Sequence, residues 1–145
     1  MQVTGWTRAF HGEAELSVPD PSYLVRLGAG TPPSPLRLAT GQVGEAHEGR
    51  LVWIVGRVVS FEPAALTLDD GSGPARIYFP ADLPWRRPYV QIGEVWAAQG
   101  VIGQYAWEEP YTGGYRLIPR FPSDVAPPPA FLPVTGGQGG DRVTR

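Results

Sequence analysis

The chain of 145 residues contains no cysteine, no lysine and no asparagine, and each absence removes a class of reading. Without cysteine there is no disulfide framework, no thiolate nucleophile and no sulfur ligand for a metal, and the redox compartment leaves no mark. Without asparagine there is no N-glycosylation site. Without lysine every positive side chain is an arginine, whose planar guanidinium suits stacked, specific contacts better than a diffuse basic surface does. Charge of either sign is scarce, at 18% of residues with a formal net charge of -2. No bulk electrostatic pull toward nucleic acid follows from that balance. No apolar run reaches transmembrane length. The residues after Met1 hold no stretch of signal-peptide length. On these grounds the chain is expected to be cytoplasmic, or a mature or excised piece of something larger.

What is plentiful is glycine (19) and proline (17), so much of the chain must be turns, loops and connectors. Few thermolabile residues and proline-rich loops fit a heat-adapted protein. A GC-rich genome with biased codon usage gives the same pattern.

The strand signal is concentrated in the middle. Residues 50–61 form a long β-branched and aromatic run, interrupted by Gly56. An isolated glycine in such a run marks a bulge or sharp bend, so one long strand bent near Gly56 is expected. Ala65 to Asp69 alternates as a short strand, Asp70-Gly71-Ser72-Gly73 supplies turn chemistry, and Pro74 to Phe79 returns. On that returning strand Ala75, Ile77 and Phe79 share one face, and Arg76 and Tyr78 the other. Residues 80–93 are broken by prolines and make no good helix. Glu94 to Tyr105 and Tyr115 to Pro119 complete the set, joined by an aromatic loop ending in Gly113-Gly114.

One long bent strand, a hairpin, a connection and two more strands predict an all-β chain with a five-stranded OB-type barrel. The expected organisation is a hairpin unit over 1–24, a Pro/Gly-rich connector over 25–40, the barrel over 41–125 and an extended Pro/Gly-rich tail over 126–145. The hairpin unit echoes the end of the barrel. Val3-Thr-Gly-Trp aligns with Gln99-Gly-Val-Ile, Glu15-Leu-Ser-Val with Arg116-Leu-Ile-Pro, and Pro21-Ser-Tyr with Pro122-Ser-Asp. Residues 2–24 therefore read as the last two strands of a second barrel unit that lacks its first three, or as a chance likeness between two hairpins. A lone hairpin is marginal in water. On this reading Val3, Trp6, Phe10, Leu16 and Val18 need a partner, and with Phe131 and Leu132 of the tail they form a candidate assembly interface.

Several stretches resemble one family: Thr40-Gly-Gln-Val-Gly-Glu, Glu48-Gly-Arg-Leu-Val, Leu68-Asp-Asp-Gly-Ser-Gly, and Tyr115-Arg-Leu-Ile-Pro-Arg with Pro122-Ser-Asp-Val. They are similar to OB-fold domains found, often in tandem, in secreted bacterial multidomain proteins, some beside lamin-tail-like modules or nucleases. The resemblance implies an OB fold, an extracellular or cell-surface setting and a nucleic-acid-binding superfamily. It does not name a ligand, because the fold hosts many functions. Leu132-Pro-Val-Thr-Gly136 also resembles a sortase sorting signal, without the apolar span and basic tail that normally follow.

Enzyme chemistry finds little support. His11 and His47 lack metal-ligand spacing, Asp69-Asp70 reads as turn chemistry rather than a cation site, and no phosphate loop or nucleophile motif is present. No enzyme activity, metal or cofactor is expected. Two binding functions remain. One is an extracellular structural module that assembles with copies of itself, perhaps into fibres, through strand exchange and tail docking. The other is a single-stranded nucleic-acid module, with Arg57, Arg76, Arg116 and Arg120 along the backbone track and Tyr78, Tyr105, Trp107 and Tyr111 stacking bases.

Overall fold

A computed structural model describes residues 1–128 of the chain, and the tail residues Phe131 and Leu132 and the sorting-like stretch lie outside it. Among the described residues eleven strands run in chain order. The N-terminal unit holds β1 (Gln2–Val3), β2 (Trp6–Phe10), β3 (Glu13–Ser17) and β4 (Leu24–Val25). The barrel and its fringe hold β5 (Leu36–Arg37), β6 (Leu51–Glu62), β7 (Ala65–Asp69), β8 (Pro74–Tyr78), β9 (Val95–Gln104), β10 (Tyr115–Ile118) and β11 (Val125–Ala126).

The long strand β6 serves two neighbours. Its first half, Leu51 to Arg57, pairs antiparallel with β9. Its second half, Arg57 to Glu62, pairs antiparallel with β7. The register shifts between Val58 and Ser60, so Val59 is the extra residue that bends the strand. The bend therefore falls three residues past its expected place at Gly56. Gly56 has a different job: the Asp69 backbone crosses so closely that a Cβ there would lie 2.8 Å from the Asp69 nitrogen.

Strand β8 pairs with β7, and β10 closes the ring by running parallel to β8 and antiparallel to β9. Five strands in the cyclic order β6-β7-β8-β10-β9 thus enclose one core. This is an OB-type barrel. Its interior is aliphatic: Ile54, Leu66, Leu68, Ile77, Ile102 and Leu117 are fully buried, each worth roughly 1.5–3 kcal/mol of transfer free energy. The proline-broken stretch after β8 makes no helix; Trp85 from it packs edge-on against Phe79, with ring centres 5.6 Å apart.

The N-terminal unit repeats the construction of the barrel's last third. In both, two antiparallel strands lead into a 3-10 helix that starts on proline (Pro21–Tyr23 and Pro122–Asp124); a two-residue strand then pairs back, β11 on β9 itself and β4 on β1, the short strand just before β2. Trp6 faces Ser17 across the β2–β3 pair as Val101 faces Ile118 across β9–β10, and Val3 faces Leu24 as Ala98 faces Val125. These pairings match Gly5 to Gly100, one residue away from the sequence alignment above. The reason is steric. At both glycines the carbonyl of the facing strand, Ser17 or Ile118, passes where a Cβ would stand.

The likeness ends at burial. Leu117 and Val125 point into the barrel and are buried, whereas their counterparts Leu16 and Leu24 are 48% and 46% exposed. Of the other expected interface residues, Trp6 and Phe10 are exposed, and Val3 and Val18 are partly covered. The hairpin tip reaches the barrel, where the Ala106 amide donates to the His11 carbonyl at 2.9 Å.

Candidate nucleic-acid interface

Alternation on two adjacent strands builds the site. Ala75 and Ile77 on β8 and Leu117 on β10 point inward, which sends Arg76, Tyr78 and Arg116 outward. The parallel register that sets Leu117 opposite Ile77 brings Arg116 to the outer face across from Arg76, and its side chain reaches diagonally to Tyr78. The guanidinium carbon of Arg116 is 4.4 Å from the ring centre of Tyr78 and 5.1 Å from that of Tyr105. An arginine between two tyrosine rings gains cation–π attraction from each. Its Nε is buried without a hydrogen-bond partner, and it makes no ion pair among the described residues.

The surrounding groove holds about 620 Å³ and is lined by Arg76, Tyr78, Tyr105, Trp107, Tyr115 and Arg116. Trp107 stands at its rim, 81% exposed, edge-on to Tyr105 at 5.0 Å. Arg76 enters already paired: both terminal nitrogens donate to Glu62, at 3.0 and 2.8 Å. That fork holds the Glu62 carboxyl below the usual range and raises Arg76.

The loop carrying Trp107 is organised from beneath by Gln104. Its buried side-chain amide donates to the Gly113 carbonyl at 3.0 Å and to Tyr115 Oη at 3.1 Å, and it also contacts the Tyr111 carbonyl. Tyr115 in turn donates its hydroxyl to the Glu45 carboxylate, which pushes the phenol up to about 12.

The hairpin tip completes the wall. The His11 ring stacks on Tyr105 at 4.2 Å with 22° between planes, and its Nδ1 donates to the Ala106 carbonyl at 2.9 Å. Glu13 lies against Gly103, its carboxyl pushed up by partial burial and pulled down less strongly by Arg116. With imidazole stacked on it and guanidinium over it, Tyr105 is a filled platform. The free aromatic surface nearest the groove is Trp107.

The structure brings together five of the eight residues expected along a nucleic-acid track: Arg76, Tyr78, Tyr105, Trp107 and Arg116. Tyr111 sits behind them, edge-on to His11 at 6.3 Å. Arg57 and Arg120 are elsewhere. Arg57 donates to the Gly93 carbonyl at 3.0 Å beside the Asp69–Gly71 turn, and Arg120 is forked onto Asp124. Alternation alone does not say which face of a closed barrel each outward arginine reaches. His11, Glu13 and Gln104 were not expected at the site. The only local signal was the His11-Gly12 turn, and its docking is tertiary. The aspartate pair has its expected turn role: Asp69 accepts from the Gly71 and Gly73 amides at 2.7 and 3.3 Å. Among the described residues no cluster of three metal-ligating side chains forms, and no helix is long and apolar enough to cross a membrane.

No family model matches the sequence, and no curated protein matches it. Solved structures do. The telomere capping protein Ten1 from Saccharomyces pombe aligns at 19% identity over 61% of this chain and 78% of its own, with a TM-score of 0.44. Two OBodies bound to hen egg-white lysozyme, AM3L09 and AM1L10, align at 14% identity over 66% of this chain and 95% of theirs, with TM-scores of 0.47 and 0.45.

Proposed function

We propose that the protein binds single-stranded nucleic acid in the β8–β10 groove and performs no catalysis there. The observation that carries this reading is Arg116, held against the rings of Tyr78 and Tyr105 and in no ion pair among the described residues, in a groove shared with the exposed ring of Trp107. A guanidinium so placed offers a phosphate its free donors, and Trp107 offers a base a π-face. The groove shares the third barrel strand, β8, and the loop before the last strand with the surface by which OB folds hold oligonucleotides. Titrating a fluorescein-labelled oligothymidine into the protein at low salt tests the reading. Saturable binding that quenches tryptophan emission supports it; no binding of any single strand rejects it.

A second reading draws on the N-terminal unit, where Leu16 and Leu24, the counterparts of the inward-facing Leu117 and Val125, are exposed. An apolar surface of this kind suits assembly with further copies, and the extracellular setting comes from the sequence resemblance. Sedimentation of the purified chain with and without Leu16→Glu separates the two. Concentration-dependent polymers abolished by the substitution favour assembly.

A further inference from the structure

We propose that the tip of the N-terminal hairpin is a built-in cover of the Tyr105 platform in the groove wall, a nucleotide-like plug that an incoming single strand must displace; this rests on the nucleic-acid reading above. The tip carries two chemical handles two residues apart. The first is the flat ring of His11, stacked on Tyr105 at 4.2 Å and 22°, the position and tilt of a stacked base. The second is the carboxylate of Glu13, laid against Gly103 on the strand that pairs with Arg116, so that an anion of the chain's own stands near the arginine meant for a phosphate. Partial burial raises this carboxyl and Arg116 lowers it, which is the electrostatic signature of their proximity.

The plug is shaped to fit and lightly held. Gly12 has φ +97, and a Cβ there would strike the Gln104 side chain, so the chain can turn at this point only through glycine. His11 itself has φ +52, in the left-handed region that few residues other than glycine adopt. Positive φ at both residues of this two-residue loop is what a type I′ hairpin turn requires, so the turn itself presents the His11 ring at the tip. Two hydrogen bonds to Ala106 and the Gln104 backbone amide against the Glu13 carboxylate fasten the tip, and among the described residues β2 and β3 pair only with each other. Leaving the groove therefore breaks no barrel ladder. A strand that stacks on Tyr105 and places a phosphate on Arg116 replaces both handles in kind.

Such a plug lowers the apparent affinity by the fraction of molecules in which the groove is open. The test is the anisotropy of fluorescein-labelled dT12 at low salt, with the full-length wild type, His11→Gly, Glu13→Gln and the double variant. Glycine suits φ +52, so His11→Gly removes the ring and keeps the turn; Glu13→Gln probes the second handle independently. Each single variant is expected to bind more tightly, and the double variant about tenfold more tightly if the tip is docked about ten times in eleven. Unchanged or weakened binding in the variants overturns the plug while leaving the nucleic-acid reading intact. If neither wild type nor variants bind dT12, both fall. In a second readout, the backbone amides of Gly12 and Ala106 should shift on dT12 addition toward their positions in His11→Gly. Saturation with both amides unmoved overturns the plug.

Discussion

Thr40 and Asp70, thirty residues apart, are joined by three hydrogen bonds: the Thr40 amide and hydroxyl donate to the carboxylate at 3.1 and 2.8 Å, and the Asp70 amide donates to the Thr40 hydroxyl at 3.0 Å. Thr40 is fully buried by the arrangement. The pair ties the end of the connector to the β7–β8 turn. Thr40→Val keeps the shape and removes the hydroxyl, so it should cost about 1 kcal/mol in urea unfolding at neutral pH.

The same junction sets an acid dependence. Hydrogen bonds from Ser72, and then from Thr40, hold the Asp70 carboxyl well below the usual range. A depressed carboxyl stabilises the fold only while ionised. Its contribution is therefore complete above the ordinary aspartate value of about 3.9 and fades as pH falls from there toward the lower folded value. The melting temperature of wild type should exceed that of Asp70→Asn at pH 7, and the gap should shrink below about pH 4. A gap that stays constant to pH 2 would contradict the assignment.

Tyr115 gives the alkaline counterpart. Its phenol is raised to about 12, first by donating to Glu45. A raised phenol stabilises the fold fully below its unfolded value of about 10, and the contribution is lost as pH rises through the folded value. Ultraviolet titration should show one of the six tyrosines ionising last, and Tyr115→Phe should remove that final step.

Burial separates the two halves of the chain. Leu66→Ala, at a fully buried site, should cost about 2–5 kcal/mol. Leu16→Ala, at an exposed one, should stay within about 0.5 kcal/mol in dilute solution. A large loss at Leu16 would mean that the N-terminal face is covered in solution.

Groove variants should separate stacking from charge. Trp107→Ala should weaken dT12 binding by about 1–3 kcal/mol with little change in salt dependence. With Arg116 meeting one phosphate while Arg76 stays paired to Glu62, log K should fall with log salt at a slope of about -0.7, and Arg116→Ala should remove that dependence.

The barrel was legible because its signals are local and agree with one another. Alternation at Ala65–Asp69 and Pro74–Phe79, with Asp-Gly-Ser-Gly between, dictates a hairpin wherever it is placed. The bend in β6 was foreseen but misplaced, since Val59 is β-branched and gives no sign that it bulges. Outward residues on β8 and β10 could be listed, yet grouping them needed the parallel β8–β10 pairing, a contact between residues far apart in sequence. The same holds for His11. Nothing local to a hairpin turn says that its ring stacks on Tyr105, ninety-four residues away, and the Nδ1 of His11 finds its acceptor at Ala106 only once the barrel has closed.

The matched positions of Gly5 and Gly100 have a genetic consequence. An in-frame duplication of the segment that begins at Gly5 and ends at Gln99 would join two copies without disturbing any strand register. In the longer product, the first copy of residues 51–79 would be closed by a second copy of residues 5–25. Thr7, Leu16 and Leu24 would then fall at the inward sites that Ile102, Leu117 and Val125 occupy here. The interval between the two glycines is thus a seamless cassette, by which a gene for such barrels can lengthen or shorten one whole barrel at a time.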